Sequence, residues 1–539
     1  MIGKTLAALA LLATTSGAIA QGSTAIPSIA TRDGRHALIV DGAPFLMLGA
    51  QANNSSNYPW ALPMVWPVLD RIHANTLEMP VAWQQVEPVE GRFDFAWVQT
   101  LLTQARAHDK RLVLLWFGTW KNTNANYAPD WVRMDNRRFP RMKTPEGKDH
   151  YVLSPMHRST LEADKRAFVA LMTYLKAHDP QNTVIMVQVE NETGSYGNPR
   201  DYSADATRLF AGQLPAILAR KTGKSGSWSQ AFGAQADRAF NTWHVASYVG
   251  EIAAAGKAIK PVPMYANASL SGAFNVPDPK GVASGGPQPD VIDIWKAAAP
   301  AIDLVAPDIY EAKSSEVIEY LRRYARADNA LMVPEIGNAA KFARYAHAAI
   351  GKGAIGFAPF GMDDTGYYNF PLGGGPLDAE IVEAFASKYA PFAGMQRAWA
   401  RIAFEHPTWG LAKPDDGASQ TVTAGDWTIV ASYGQWQFGS KDSAWLKAPP
   451  TPWNDQPVGG GVIAQLSADE FLVTGDHVRF DFAAAKGGSP NGMVLRVEQG
   501  HYDGERWIVD RLWNGDQTDY GLNFIDKPVW LKVVMARYR

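Results

Sequence analysis

The 539-residue chain contains no cysteine. Disulfides, thiolate metal sites and a cysteine nucleophile are therefore excluded. An excess of one charge is missing too: 51 Lys and Arg stand against 53 Asp and Glu, a formal net charge of −2. That leaves no basic field to hold nucleic acid or an anionic membrane surface. No run of 18 or so uncharged apolar residues follows the N-terminal segment, so no later membrane helix is expected. The 11 histidines form no H-x-H or H-x-x-x-H metal pair. There is no G-x-S-x-G elbow. Gly223-Lys224-Ser225 ends like a P-loop, but Leu218 stands where the loop needs its first glycine. No metal or cofactor is expected, and internal repeats and low-complexity tracts are also missing.

What is present is the material of a folded, multidomain chain. Hydrophobic residues make up 46% and charged residues 19%, which excludes a disordered chain. The 19 Trp, 19 Tyr and 22 Phe are plentiful. Such rings fill cores, and an excess of Trp also suits a sugar-binding cleft. The first twenty residues read as a leader: Lys4 gives a positive start, Thr5 to Ala13 an apolar stretch, and Ala18-Ile19-Ala20 an A-x-A cleavage site. Residues 1–20 are expected to be a signal peptide, and the product to be periplasmic or secreted.

From Leu38 to Ala390 short apolar runs alternate with amphipathic helical stretches. The opening HALIVDGAPFLMLGA predicts a hairpin turning at Asp41-Gly42. Eight strands are predicted, in PFLMLGAQ and within 75–83, 111–118, 182–192, 261–268, 301–310, 330–337 and 353–361. Eight strands, each followed by helix or loop, is the count of a (β/α)8 barrel. The competing doubly wound sheet would need a glycine-rich turn after its first strand, and none is there. A long insertion separates the fourth and fifth strands, a place where barrel loops shape clefts. After about Phe392 period-2 alternation takes over, in WTIVASY, EFLVTGDHVRFDF, GMVLRVEQGHY, RWIVDRLW and VWLKVVMARY. Thr474-Gly475-Asp476, Asp503-Gly504 and Asn514-Gly515-Asp516 read as the turns between them. The division expected is a barrel over 21–395 and an antiparallel β-sandwich over 396–539, with HPTWGLAKPDDG as linker.

Two strand ends carry acids. Gln188-Val189-Glu190-Asn191-Glu192 closes the apolar VIMV run, and Val333-Pro334-Glu335-Ile336-Gly337 closes another. In a (β/α)8 barrel the active site lies at the C-terminal ends of the strands. Strand alternation predicts Gln188, Glu190 and Glu192 on one face, with burial and mutual repulsion raising a carboxyl's pKa. Glycoside hydrolysis with retention needs two carboxyls about 5–5.5 Å apart, one to protonate the leaving oxygen and one to attack the anomeric carbon. Strands four and seven face each other across a barrel's top and can supply that pair.

VQVENETGSYG resembles the acid/base signature of glycoside hydrolase family 35, mostly β-galactosidases. LIVDGAPFLMLGAQ, NTLEMPVAWQQVEPVEGRFDF and VPEIG are similar to the same family's pattern, over roughly residues 35–390. The resemblance implies Glu192 as acid/base, Glu335 as nucleophile, Asn191 on the sugar 2-hydroxyl and Tyr310 orienting Glu335. It also implies a bacterial branch whose members trim galactose from plant xyloglucan. Departures touch the sugar contacts: Trp116 to Asn122 lacks an acid before its Trp, Thr193 replaces an aromatic residue, and Phe360 stands where related barrels place Trp.

Rings at or after predicted strand ends are Trp83, Trp116, Trp120, Trp131, Tyr196, Tyr310, Tyr367 and Tyr368. Of these Trp83, Trp120 and Tyr310 are the first choices for sugar stacking, with Glu190 and Lys121 as polar contacts and Asn122 and Asp308 behind them. The expectation is an exported retaining exo-glycosidase acting on terminal β-galactosides of an oligosaccharide or polysaccharide. Two alternatives stay open: another retaining specificity (a glucosidase or endo-glycanase) on the same barrel, and a non-catalytic glycan-binding protein.

Overall fold

A computed structural model describes residues 25–437, 448–485, 491–525 and 527–538. The expected leader lies outside the described residues. All eight predicted barrel strands form. They are β1 (Met47–Gln51), β2 (Thr76–Ala82), β3 (Arg111–Lys121), β4 (Val184–Asn191), β5 (Met264–Ser269), β6 (Leu304–Ile309), β7 (Val333–Ile336) and β8 (Gly356–Pro359). They close into one parallel barrel in chain order.

Strands buried on both faces read as continuous apolar runs, and alternation sorts their side chains. On β3, Val113, Leu115 and Phe117 fill the barrel interior, while Leu112, Leu114 and Trp116 pack outward against helices. The hairpin before β1 turns at Asp41 and Gly42, with φ of 55° and 77°. Both residues are left-handed, as a two-residue Asp-Gly turn requires. Leu38, Val40 and Phe45 of that hairpin join the interior cluster and stopper the N-terminal end of the barrel.

Two helices matter for the site's support: α1 (Arg158–His178) and α2 (Ala236–Ile259) pack together outside β3 and β4. Two more follow the barrel, α3 (Ala379–Ala393) and α4 (Gln396–Glu405). Arg397 of α4 donates to the carbonyls of Val40 and Ala43 and pairs with Asp41. This helix therefore belongs with the barrel, and the division falls after Glu405 rather than at 395.

The C-terminal region is the expected antiparallel sandwich. One sheet runs Thr408–Ala412, Gly460–Gln465, Glu470–Asp476, Trp530–Arg537, Gly492–Asp503, Arg506–Trp513. The other runs Gln420–Ala424, Trp427–Tyr433, Val478–Ala484, Leu522–Phe524. Thr408–Ala412 lies inside the stretch expected as a linker, and Gly460–Gln465 was not expected because Gly-Gly weakens a strand. The close approach of neighbouring backbones explains these glycines. A Cβ on Gly460 would meet the Leu411 carbonyl at 2.4 Å, and one on Gly461 the Thr474 carbonyl at 2.6 Å. Thr474-Gly475-Asp476 is strand, not turn; the chain passes from one sheet to the other at His477, φ 48°.

Alternation in the first sheet serves two cores. Ile463, Phe471, Val473 and Leu531 face the sandwich interior, while Val462, Ala464, Leu472 and Trp530 face the barrel helices. Trp530 packs against Phe392 and Trp399 and donates to the Pro391 carbonyl. Beside it Lys388 of α3 forms a buried ion pair with Asp476.

Candidate active site

A pocket of about 470 Å³ opens at the C-terminal end of the barrel. Its wall draws on the end of every barrel strand except β2: Asn54 after β1, Lys121 to Thr123, Glu192 and Tyr196, Ser269 and Leu270, Asp308 to Glu311, Glu335, and Phe360 to Leu372. The long insertion after β4 contributes only Tyr196 from its first residues. The loop after β8 supplies Phe360, Tyr367, Asn369 and Leu372 and does more to shape the mouth.

Glu192 and Glu335 face each other in this pocket. One carboxylate oxygen of each lies within 4.8 Å of the other, and an Asp308 oxygen lies within the same distance of both. Glu335 is held by two donors: the Tyr310 hydroxyl at 2.5 Å on Oε1 and Gln51 Nε2 at 3.0 Å on Oε2. Tyr310 reaches it by simple alternation, since Leu304 and Ala306 point inward on β6 and Asp308 and Tyr310 continue that parity to the rim. Burial pushes the Glu192 carboxyl up to about 7, and the nearby Glu335 charge pushes the same way; Lys121 opposes both. The Lys121 ammonium donates to Asn191 Oδ1 at 2.8 Å and to Asn122 Oδ1 at 2.5 Å. Asn191 Nδ2 is buried with no partner in the structure, a donor left for a ligand.

The spacing of the three acids would admit a divalent cation. The donor set argues for acid–base work instead: a tyrosine and an amide already occupy Glu335, and an ammonium supplies the positive charge. These residues are not assigned to a metal.

The end of β4 does not alternate as predicted. Glu190 and Glu192 have φ of 64° and 43°, a left-handed backbone uncommon for Glu and costing about 1–3 kcal/mol each. The two side chains consequently part. Glu190 turns away from the pocket to accept from the backbone N–H groups of Thr119 and Trp120, at 3.1 and 2.7 Å. It is buried against Asp164 of α1, and burial and this neighbour push its carboxyl well above the usual range. The repelling partner of Glu190 is thus Asp164, and that of Glu192 is Glu335. Glu190 is corrected from a substrate contact to a brace for the β3 loop.

Two aromatic choices are corrected as well. Trp83 is fully buried, donates to Glu87 and packs edge-on against Trp131. Trp120 is buried on Tyr248 and donates to the Leu153 carbonyl. Neither lines the pocket: Trp83 opens a short helix after β2, and Trp120 lies in the irregular last part of β3. Trp116 is also a core residue, bonded to Asp164, and Trp131 is partly buried against that core, bonded to the Glu87 carbonyl. Tyr196, Tyr310 and Tyr367 line the pocket; Tyr368 is exposed outside it.

Residues not foreseen include Gln51, Asn267, Asp164 and Glu78. Asn267 ties the site together: its Oδ1 accepts from the Glu192 N–H at 2.9 Å and its Nδ2 donates to Asp308 Oδ2 at 2.6 Å. Glu78 lies inside the barrel under the site, bonded by the Tyr265 hydroxyl and held well above the usual carboxylate range by burial.

Two carboxyls facing each other across the C-terminal rim of a barrel are the arrangement that retaining glycoside hydrolysis requires. Comparison with known proteins gives partial matches. The glycoside hydrolase family 42 model, described as beta-galactosidase, matches residues 68–253. This corrects the family 35 resemblance of the sequence; both are β-galactosidase families. A domain of unknown function, DUF5597, matches residues 385–525, across the end of the barrel and most of the sandwich. No curated protein matches the chain. Among solved structures, the β-galactosidase of Bacillus circulans sp. alkalophilus is 12% identical with a TM-score of 0.49, over 66% of this chain and 57% of that one. A catalytic mutant of Gan42B, a GH42 β-galactosidase from G. stearothermophilus, is 12% identical with a TM-score of 0.48, over 70% of this chain and 62% of that one. The chain thus spans less than two thirds of the length of either structure.

The Tyr310 contact gives a first prediction. Tyr310→Phe removes one hydrogen bond to a charged group, worth about 1.5–3 kcal/mol. Turnover should fall by about 10- to 100-fold while the fold is kept. Unchanged kinetics would remove Tyr310 from the site's working parts.

Proposed function

We propose that the protein is a retaining exo-β-galactosidase in which Glu335 is the nucleophile and Glu192 the acid/base. The observation that carries this reading is the pair of buried carboxyls whose oxygens lie within 4.8 Å, one with two hydrogen-bond donors and the other pushed up to about 7. Inverting enzymes space their carboxyls about 6.5–9.5 Å apart to admit a water, and an approach of the nearest oxygens to within 4.8 Å favours the shorter, retaining spacing. Glu335 attacks the anomeric carbon while Glu192 gives its proton to the glycosidic oxygen. Water then enters, Glu192 takes its proton, and the sugar leaves with its configuration kept. Asn191 Nδ2 and Lys121 are placed to meet sugar hydroxyls. Exo action, the release of a terminal residue, is part of this reading.

The exposed rings Tyr196 and Tyr367, with Leu372, rim the same pocket and suit an oligosaccharide aglycone. Galactosylated xyloglucan fragments rested on the family 35 resemblance and enter only as one such substrate to try. Action outside the cytoplasm follows from the leader-like residues 1–20.

The test is hydrolysis of 4-nitrophenyl β-galactoside beside the gluco, xylo and fuco analogues, with the first product anomer followed by NMR. Selective release of β-galactose supports the reading. Release of another sugar keeps the mechanism and replaces the specificity; α-galactose as first product removes retention; silence across aryl glycosides and oligosaccharides alike removes the activity.

A pH dependence follows from Glu192. A general acid must carry its proton, so kcat/KM should fall about tenfold per pH unit above roughly 7, where Glu192 ionises. A plateau reaching well past pH 8 would contradict the role given to this residue.

A further inference from the structure

The mechanism uses two of the three acids in the pocket. Asp308 is the third, and its surroundings differ from theirs. It stands opposite Glu335 in the β6–β7 pairing. Its side chain is buried, and one of its carboxyl oxygens lies within 4.8 Å of a Glu192 carboxyl oxygen. Oδ2 accepts one bond, from Asn267, but Oδ1 receives no donor among the described residues. Glu335 by contrast has a donor on each oxygen. The one ammonium nearby, Lys121, is committed to Asn122 and Asn191. A buried carboxylate oxygen without a donor is costly, and acids this close cannot all be ionised together. The proton is most cheaply kept on the oxygen that lacks a donor.

We propose that Asp308 stays a neutral carboxylic acid through the reaction and donates its proton as a hydrogen bond to Glu192, as a positioning residue for the acid/base. This inference rests on the functional reading above. Burial first, then the charges of Glu335 and Glu192, push the Asp308 carboxyl well above the usual range, in the same direction; Lys121 opposes. The other groups facing it are the hydroxyls of Tyr265, Tyr310 and Tyr324, all held neutral by burial. Glu78 lies one layer lower and feels Glu335 through the barrel interior.

The consequence for the chemistry is specific. When Glu192 passes its proton to the leaving oxygen, the new carboxylate faces a donor and not a second anion. The Asp308 proton is not transferred, so the cycle gains and loses none through it. Asn267, which bonds both the Glu192 backbone and Asp308, keeps the pair in register.

The test uses Asp308→Asn and Asp308→Ala in the mature chain. Asparagine is neutral and can still donate, so the alkaline limb of kcat/KM should stay within about half a pH unit of the parent. Alanine removes the donor that stabilises ionised Glu192, so the limb should move up and kcat fall by about tenfold. If Asp308 is ionised at work, Asp308→Asn removes an anion beside Glu192. The limb then drops by about one unit or more, and the proposal is overturned. Infrared difference spectra decide the protonation without turnover. A protonated carboxyl C=O band above the Glu192 limb, present in the parent and gone in Asp308→Asn, is expected, and its absence overturns the proposal. A parent that hydrolyses no glycoside would defeat the functional reading alone, and the infrared result would still stand.

Discussion

Glu335→Gly should turn over β-galactosides about 10⁴-fold or more slowly than the parent, with KM little changed, if Glu335 is the proposed nucleophile. Without the nucleophile no glycosyl-enzyme forms, and the other residues leave only the residual rate of a bound, oriented substrate. The variant separates chemistry from folding. Its side chain is a charge packed among other acids, so removing it relieves the repulsion that raises Glu192 and Asp308. The melting temperature should therefore hold, despite the orphaned Tyr310 and Gln51 donors. The cavity left by glycine admits azide or formate from the nucleophile's side. Either anion should restore turnover of activated galactosides, and azide should yield the α-galactosyl azide. Parent-like rates, or rescue giving the β-azide, would show that Glu335 is not the attacking group.

The second large effect belongs to Glu192→Ala, and its size should depend on the leaving group. General acid catalysis is worth about 10²–10⁴ in rate. Natural saccharides, whose leaving alkoxides need the proton, should lose that full amount. A 2,4-dinitrophenyl galactoside needs little protonation, so its first step should stay fast and release a burst of phenol. The second step lacks its base, so a galactosyl-enzyme should accumulate on Glu335, visible as a mass increase of the intact protein. Azide should discharge it as the β-azide, opposite in configuration to the Glu335 product. Equal losses on good and poor leaving groups would contradict this assignment.

The barrel was legible because parallel strands buried on both faces leave apolar runs, and all eight of those runs became strands. Glu192 and Glu335 stood out because an acid closing such a run has few structural uses, and both line the pocket. What the sequence hid were departures from period. Alternation placed Glu190 beside Glu192, but left-handed backbone at both positions sends them to opposite sides of the β3 loop. Trp83 and Trp120 looked like rim residues because they follow predicted strands; only the structure shows that their rings are core. Asp164 left a readable trace, an acid on the buried stripe Leu161, Asp164, Phe168, Leu171 of α1. Asn267 and Gln51 left none, since a single amide at a strand end says nothing of the carboxylate it will meet. In the sandwich, Gly460 and Gly461 concealed a strand because their purpose is the close approach of backbones distant in sequence.

The sheet that faces two cores has a bearing on how such a protein can change over evolutionary time. Trp530, Leu472 and Val462 are as much a part of the barrel's flank as of the sandwich, and Lys388 would lose its buried ion-pair partner without Asp476. The C-terminal region is consequently no cassette to be lost, swapped or borrowed by another enzyme. A gene that dropped it would strand Phe392 and Trp399 in water, and one that acquired it alone would carry a sheet with a naked second face.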